Sequence, residues 1–157
     1  MPHLFDALSD LAELALGCAS CNGQEPRDSQ PPSGCTPQCM GGLVYLSGET
    51  DAMHVGVFAS PDHCRSLARC LLGQPVGSEL PDSLVRGAMC ELAYLLAGGV
   101  KRRLLSIGLA TAVGQPSFFE GIAEVRHGWQ RRTMDVELDA IRATLVCVTR
   151  TDRLALL

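Results

Sequence analysis

At 157 residues, with 46% hydrophobic and 19% charged residues, the chain is long enough for one domain with its own core and too apolar to be disordered throughout. A formal net charge of −4 gives no broad basic surface, which disfavours nucleic-acid binding through phosphate neutralisation. No apolar run approaches the roughly 20 residues that span a bilayer, and the opening MPHLFDALSDL has no basic stretch before its apolar residues. Neither membrane insertion nor export is expected, and the protein reads as cytoplasmic.

Leu4, Phe5, Leu8, Leu11, Ala12 and Ala15 recur at helical spacing, with Gly17 at a C-cap position, and predict an amphipathic helix packed on a sheet. The Pro/Gly/Ser/Gln-rich residues 22–34 break all periodicity and read as a mobile loop within a single domain spanning 1–157. Two cysteine pairs flank that loop. Cys18-x-x-Cys21 and Cys35-x-x-x-Cys39 have the ligand spacing of a four-thiolate zinc site, although neither pair carries the Gly-rich knuckle turns that such sites use. Exposed thiols, a redox pair and a Zn²⁺-stabilised appendage that sets a partner remain open readings for them. Of the eight cysteines, Cys64, Cys70, Cys90 and Cys147 stand singly within predicted elements and read as small buried or half-buried hydrophobes.

Residues 43–47 and 53–58 are β-rich and separated by Gly48-Glu49-Thr50-Asp51, which predicts a hairpin, with Gly56 marking a bulge or a close approach. Ser60-Pro61-Asp62 opens a helix with an N-cap and a proline at its first position, and Gly73 ends it after Leu67, Leu71 and Leu72. Cys64 or Cys70 belongs to its inner face. His63 has no accompanying carboxylate or nucleophile and reads as a surface histidine.

Residues 81–105, PDSLVRGAMCELAYLLAGGVKRRLL, carry the clearest helical period in the chain. Asp82 or Ser83 can cap the helix, and Val85, Met89, Leu92, Leu96 and Val100 form its core stripe. At about 100° per residue, Gly87, Glu91, Tyr94 and Gly98 fall together on another face, so Glu91 should look outward with a tyrosine one turn later. Lys101, Arg102 and Arg103 close the helix where its dipole favours cations. Residues 106–112 then read as strand, Gly114-Gln115-Pro116-Ser117 as a turn, 121–126 as a continuation of the sheet and His127-Gly128 as a turn. Residues 130–138 place Met134, Val136 and Leu138 on one face and Thr133, Asp135 and Glu137 on the other, and Asp139-Ala140 leads into a final strand over 141–149. The pattern is α+β, with helices laid on one side of a largely antiparallel sheet.

The segment Glu91-Leu92-Ala93-Tyr94-Leu95-Leu96-Ala97-Gly98-Gly99-Val100-Lys101 resembles the signature helix of the CheC/CheX/FliY family of chemotaxis phosphatases, whose pattern is Asp-x-x-x-Glu-x-x-Asn followed by an apolar pair and Ala-Gly-x-x-Lys. The likeness is closest to CheX. It extends to the strand over 42–48, the helix over 60–72 and residues 107–111, so that the order of elements agrees from about 41 to 149.

That resemblance implies a CheX-like fold and a phosphorylated, CheY-like receiver domain as partner in two-component signalling. In the family the Asn orients the water that attacks the receiver's aspartyl-phosphate, and the Glu holds the receiver. Glu91 matches. The Asn position is Tyr94, the leading Asp position is Gly87, and the proline of the next strand is replaced by Ala110. The resemblance therefore implies binding positions at Gly87, Glu91, Gly98 and Lys101, and a catalytic pair, Glu91 and Tyr94, degenerate at its second member. A carboxamide offers a donor and an acceptor at fixed angles for gripping a water, whereas a phenol is larger and reaches farther.

The leading reading is a binding module for a receiver domain with impaired catalysis; the alternatives are an active aspartyl-phosphate phosphatase and the zinc-stabilised interaction protein. No cofactor of its own is implied beyond that zinc, since the receiver supplies Mg²⁺. A single signature helix implies a homodimer, as in CheX-like members of the family. No Gly-x-Gly-x-x-Gly, Gly-Lys-Ser/Thr loop, His-Glu-x-x-His or nucleophile elbow points to other chemistry.

Overall fold

The structure, a computed structural model, describes residues 39–49, 52–121 and 128–150. Strands β1 (Met40–Gly48) and β2 (Ala52–Ala59) pair antiparallel in the expected hairpin, with Leu43 opposite Gly56 and Ser47 opposite Ala52. Helix α1 (Pro61–Leu72) follows, then α2 (Asp82–Ser106), short strands β3 (Thr111–Val113) and β4 (Ser117–Glu120), and the long hairpin β5 (Trp129–Leu138) and β6 (Ile141–Arg150). The sheet runs β3-β1-β2-β6-β5, with β4 also on β1, and every pairing is antiparallel.

Alternation within the strands supplies one apolar face. Val44 and Leu46 of β1, Val55 and Val57 of β2, and Leu145 and Cys147 of β6 share one buried cluster with residues of both helices. Helix α2 contributes Val85, Met89, Leu92, Leu96 and Val100, the stripe read from the sequence, together with Ala88, Ala93, Ala97 and Leu104. Each fully buried large aliphatic in this layer contributes about 1.5–3 kcal/mol. The alanines and Gly42 of β1 let helix and sheet approach closely. Gly56 instead marks a close approach between strands: a Cβ there would stand 2.5 Å from the Gly42 carbonyl oxygen, and its regular pairing with Leu43 shows no bulge.

Helix α1 begins as its sequence dictates. The Ser60 hydroxyl accepts a bond from the His63 N–H at 3.4 Å, Pro61 occupies the first turn, and Gly73 takes a left-handed C-cap conformation with φ of 65°. Cys64 faces inward and Cys70 is exposed, so the reading of Cys70 as at least half-buried is corrected. Leu72 is also exposed, because it lies beyond the buried face formed by Cys64, Leu67 and Ala68. His63 is half-buried rather than free: its Nδ1 lies 3.0 Å from the Arg142 carbonyl oxygen and 3.3 Å from the Arg142 nitrogen, tying the start of α1 to β6.

Helix α2 departs from expectation at both ends. Pro81, not Asp82 or Ser83, is the N-cap residue, and no side chain caps the helix. Asp82 instead sits in the first turn, where its charge complements the dipole. At the other end the helix continues through Ser106 into sequence read as strand, and stops where Gly108 adopts φ of 86° and the Leu109 N–H reaches back to the Leu104 carbonyl. The helix has 25 residues and a best window of mean hydropathy 1.2. By length and composition it would cross a bilayer, contrary to the sequence reading, but nine of its residues belong to the protein core.

Residues 114–116 are not a hairpin turn. Strands β3 and β4 both run antiparallel to β1, on Leu46–Gly48 and Met40–Leu43 respectively, and the Gly114 N–H still donates to the Tyr45 carbonyl at 2.8 Å. They form one interrupted edge strand, broken beside Pro116, which has no N–H to donate. Asp139 completes the β5–β6 turn with φ of 56°. The reading of 1–16 as a helix, of 22–34 as a loop and of 122–126 as sheet falls outside the described residues, as do Cys18, Cys21 and Cys35.

Candidate functional site

Helix α2 turns its buried side toward the sheet, which leaves the opposite side outward. Gly87, Glu91 and Lys101 are exposed, Tyr94 retains 45% of its surface and Gly98 is half-buried, so the structure places the five expected positions on one outward face. A three-residue step puts Glu91 and Tyr94 about 4.5 Å apart along the axis, one turn in succession. Among the described residues, neither side chain takes part in a hydrogen bond or an ion pair.

The glycines keep this face low. A Cβ added to Gly87 or Gly98 would meet no atom within 4 Å, so both positions border open space, and the absent side chains leave Glu91 and Tyr94 standing proud of the helix surface. Exposed Leu84, Leu95 and Leu105 add apolar area to the same face. Of these only Leu95 adjoins Tyr94; Leu84 and Leu105 lie about 15 Å away along the axis, toward either end of the helix.

One flank of the face is walled by β4, which the sequence reading had not identified as a strand. Arg86 makes an ion pair with Glu120 at 3.0 Å, and its guanidinium lies 5.1 Å from the centre of the Phe118 ring. These residues are separated by more than 30 positions in the chain, so no local pattern could have brought them together. Cys90, half-buried between this wall and the outward face, has its thiol pKa raised by burial and is a weak nucleophile.

Cys39 is buried, with its carbonyl accepting from the Gly121 N–H at 2.7 Å, and it lies near Cys64 rather than at the surface. The other three proposed zinc ligands are outside the described residues; among the described ones, no group of three or more His, Cys, Asp or Glu side chains is placed to hold a metal ion. A second concavity of about 470 Å³ opens between the start of α1 and the β5–β6 hairpin, lined by Ser60, His63, Asp135, Glu137, Arg142 and Thr144 among others. Within it Thr144 donates to Asp135 at 2.8 Å, and the His63 ring meets the Arg142 backbone. None of the signature-helix residues lines it.

An antiparallel sheet carrying two helices on one face is the fold of CheC-like and CheX chemotaxis proteins. Three solved structures illustrate the likeness. A chemotactic CheC-like protein from Shewanella oneidensis superposes with a TM-score of 0.64 at 14% identity, over 96% of this chain and 97% of that one. Chemotaxis protein CheX from Vibrio vulnificus gives 0.63 at 17% identity, over 91% and 95%. CheX from Borrelia burgdorferi, in a CheX–CheY complex with BeF3 and Mg²⁺, gives 0.60 at 15% identity, over 93% and 97%. No protein-family model matches the chain, and no curated protein matches it. The shared fold spans most of each chain at 14–17% sequence identity.

Proposed function

We propose that this protein is a chemotaxis-type signalling module that docks a CheY-like receiver domain on the outward face of α2 and has little or no phosphatase activity. The observation that carries the reading is that Glu91 and Tyr94 stand side by side and exposed, without a partner among the described residues, on the helix whose sequence resembles the signature helix, in a fold like that of CheX. A structural neighbour, CheX of Borrelia burgdorferi, was solved with CheY bound, which makes a receiver the natural partner for this chain also.

Glu91 supplies the charged contact, while Gly87 and Gly98 admit the partner's backbone and Lys101 borders the far end. Tyr94 stands where hydrolysis would require a group that holds water in line with the scissile P–O bond. A phenol rigidly projects its single oxygen about 6.5 Å from Cα, too far out to reproduce a carboxamide's paired donor and acceptor. Mg²⁺ and the phospho-aspartate come with the receiver, so the chain needs no metal of its own for this role. The protein would act in the cytoplasm, where receivers are phosphorylated.

The test is phosphate release from Mg²⁺-loaded, acetyl-phosphate-labelled receiver domains, with the native chain, Glu91→Ala and Tyr94→Asn. The expected result is receiver binding by the native chain without acceleration, loss of binding in Glu91→Ala, and hydrolysis only in Tyr94→Asn. Acceleration by the native chain would replace this reading with that of an active phosphatase, and absence of binding to any receiver would remove both.

A further inference from the structure

We propose that the C-terminal end of α2 is a contact site for an anionic membrane surface, with Leu105 and Ile107 seated at the headgroup boundary and Lys101, Arg102 and Arg103 on the lipid phosphates. Residues 101–107, Lys-Arg-Arg-Leu-Leu-Ser-Ile, are all exposed except Leu104, which is buried in the core. Leu105 keeps 59% of its surface and Ile107 55%, more than any other large hydrophobic side chain among the described residues except Val76 in the α1–α2 loop.

The helix dipole accounts for cations at a C-terminus. It gives no reason for two large aliphatic side chains to stand in water beside them. Neither Leu105 nor Ile107 belongs to the core cluster or packs against its margin, so the fold itself makes no use of them. Exposed aliphatic side chains bordered by Lys and Arg have the composition of an interfacial contact.

Shape favours lipid over a folded acidic partner. Lys101, Arg102 and Arg103 follow one another at about 100° and leave the helix in three directions. The chain then turns back, with Gly108 at φ of 86° and the Leu109 N–H on the Leu104 carbonyl, so residues 105–107 form a projecting corner. A folded partner would need an acidic socket to enclose that corner. A fluid headgroup layer closes around it, while long cationic side chains reach the phosphates and keep their methylene stems beside the apolar tips.

Charge points the same way. The whole chain carries −4, yet three consecutive cations stand here, and no ion pair among the described residues involves Lys101 or Arg102. Glu49, just past the Gly48 that pairs with Thr111, brings an acidic side chain to this end of the sheet, and the cations outnumber it. So small an anchor is reversible and depends on the density of anionic lipid, and salt screens it beyond about 8 Å at physiological strength. Leu105 lies about 21 Å along the helix from Glu91, so the membrane contact is separate from the receiver contact proposed above.

Co-sedimentation of the full chain with extruded vesicles tests the site, using pure phosphatidylcholine and the same lipid with about 30% phosphatidylglycerol. Binding is expected with the anionic vesicles alone, weakening at least about fivefold between about 50 and about 300 mM salt. Arg102→Glu should weaken it at least about fivefold, and Leu105→Ser with Ile107→Ser at least about threefold. Circular dichroism confirms that each variant keeps its fold, and Ile107→Ser alone, just past the helix, gives the same reading should the double change disturb α2. Inorganic phosphate at constant ionic strength and poly-L-glutamate at equal charge should not displace the chain. Displacement by the first would assign the site to free phosphate and by the second to an acidic polypeptide, and either overturns the proposal. It is also overturned by equal or absent binding to the two vesicle types, by binding indifferent to Arg102→Glu, and by binding that survives loss of both aliphatic side chains undiminished. None of these measurements involves a receiver, so the two proposals stand or fall separately.

Discussion

Gly42 of β1 sits directly beneath the carbonyl group of Met89 in α2: a Cβ added to the glycine would overlap the Met89 oxygen, stand 2.8 Å from its carbonyl carbon and touch Ala93 Cβ at 3.0 Å. The helix that presents Glu91 and Tyr94 outward is thus seated on backbone, and any side chain at Gly42 must lift it. Gly42→Ala is expected to lower stability by about 1–3 kcal/mol through overpacking, read as a fall in the urea midpoint. Gly87→Ala provides the contrast. Its new methyl meets nothing, and alanine's helix preference should raise stability by about 0.5–1 kcal/mol.

Leu95 and Leu96 are neighbours in sequence with opposite surroundings, 43% and 2% exposed. Leu96→Ala should cost about 2–5 kcal/mol by opening a cavity between helix and sheet. Leu95→Ala should change stability by less than about 0.5 kcal/mol. It should nonetheless weaken receiver docking on the outward face, measured by titration calorimetry.

On the opposite side of the sheet, His54 lies with its ring centre 5.0 Å from that of Tyr45 and 5.3 Å from that of Trp129. Burial lowers its pKa below the ordinary 6.5, so on acidification the folded chain takes up this proton later than the unfolded chain. Its contribution to stability is present above pH 6.5 and is lost as pH falls through the lowered value. Urea midpoints at about pH 7.5 and about pH 5.5 should therefore differ, and His54→Gln should reduce that difference.

Cys64 is fully buried with its thiol pushed up to about 12, chiefly by loss of water, whereas Cys70 on the same helix is exposed. Iodoacetamide applied to the native protein near neutral pH should label Cys70 and spare Cys64, as read by peptide mass spectrometry. Labelling of Cys64 should appear only when urea unfolds the domain.

The strand alternation of Met134 and Val136 against Asp135 and Glu137, the Ser60-Pro61 start and Gly73 stop of α1, and the five-residue core stripe of α2 were all legible locally, because each depends on a period or a cap carried within a few residues. The same period sufficed to put Gly87, Glu91, Tyr94 and Gly98 on one outward face. What it could not show was where local preference yields to packing. Ser106 stays helical where the sequence read strand, in the turn anchored by buried Leu104, and residues 117–120 form a strand because β1 offers them a free edge.

Sequence alone therefore determined the two described helices and the two long hairpins, their amphipathic faces and the charge order along α2, since these follow from side-chain chemistry repeated at fixed steps along the chain. Only the tertiary structure decided that Arg86 would meet Phe118 and Glu120, that His63 would clasp Arg142, and that Gly42 would bear the backbone of Met89. Those contacts join residues more than 30 positions apart, and their partners are set by how the helices settle on the whole sheet, a condition that no single stretch of sequence contains.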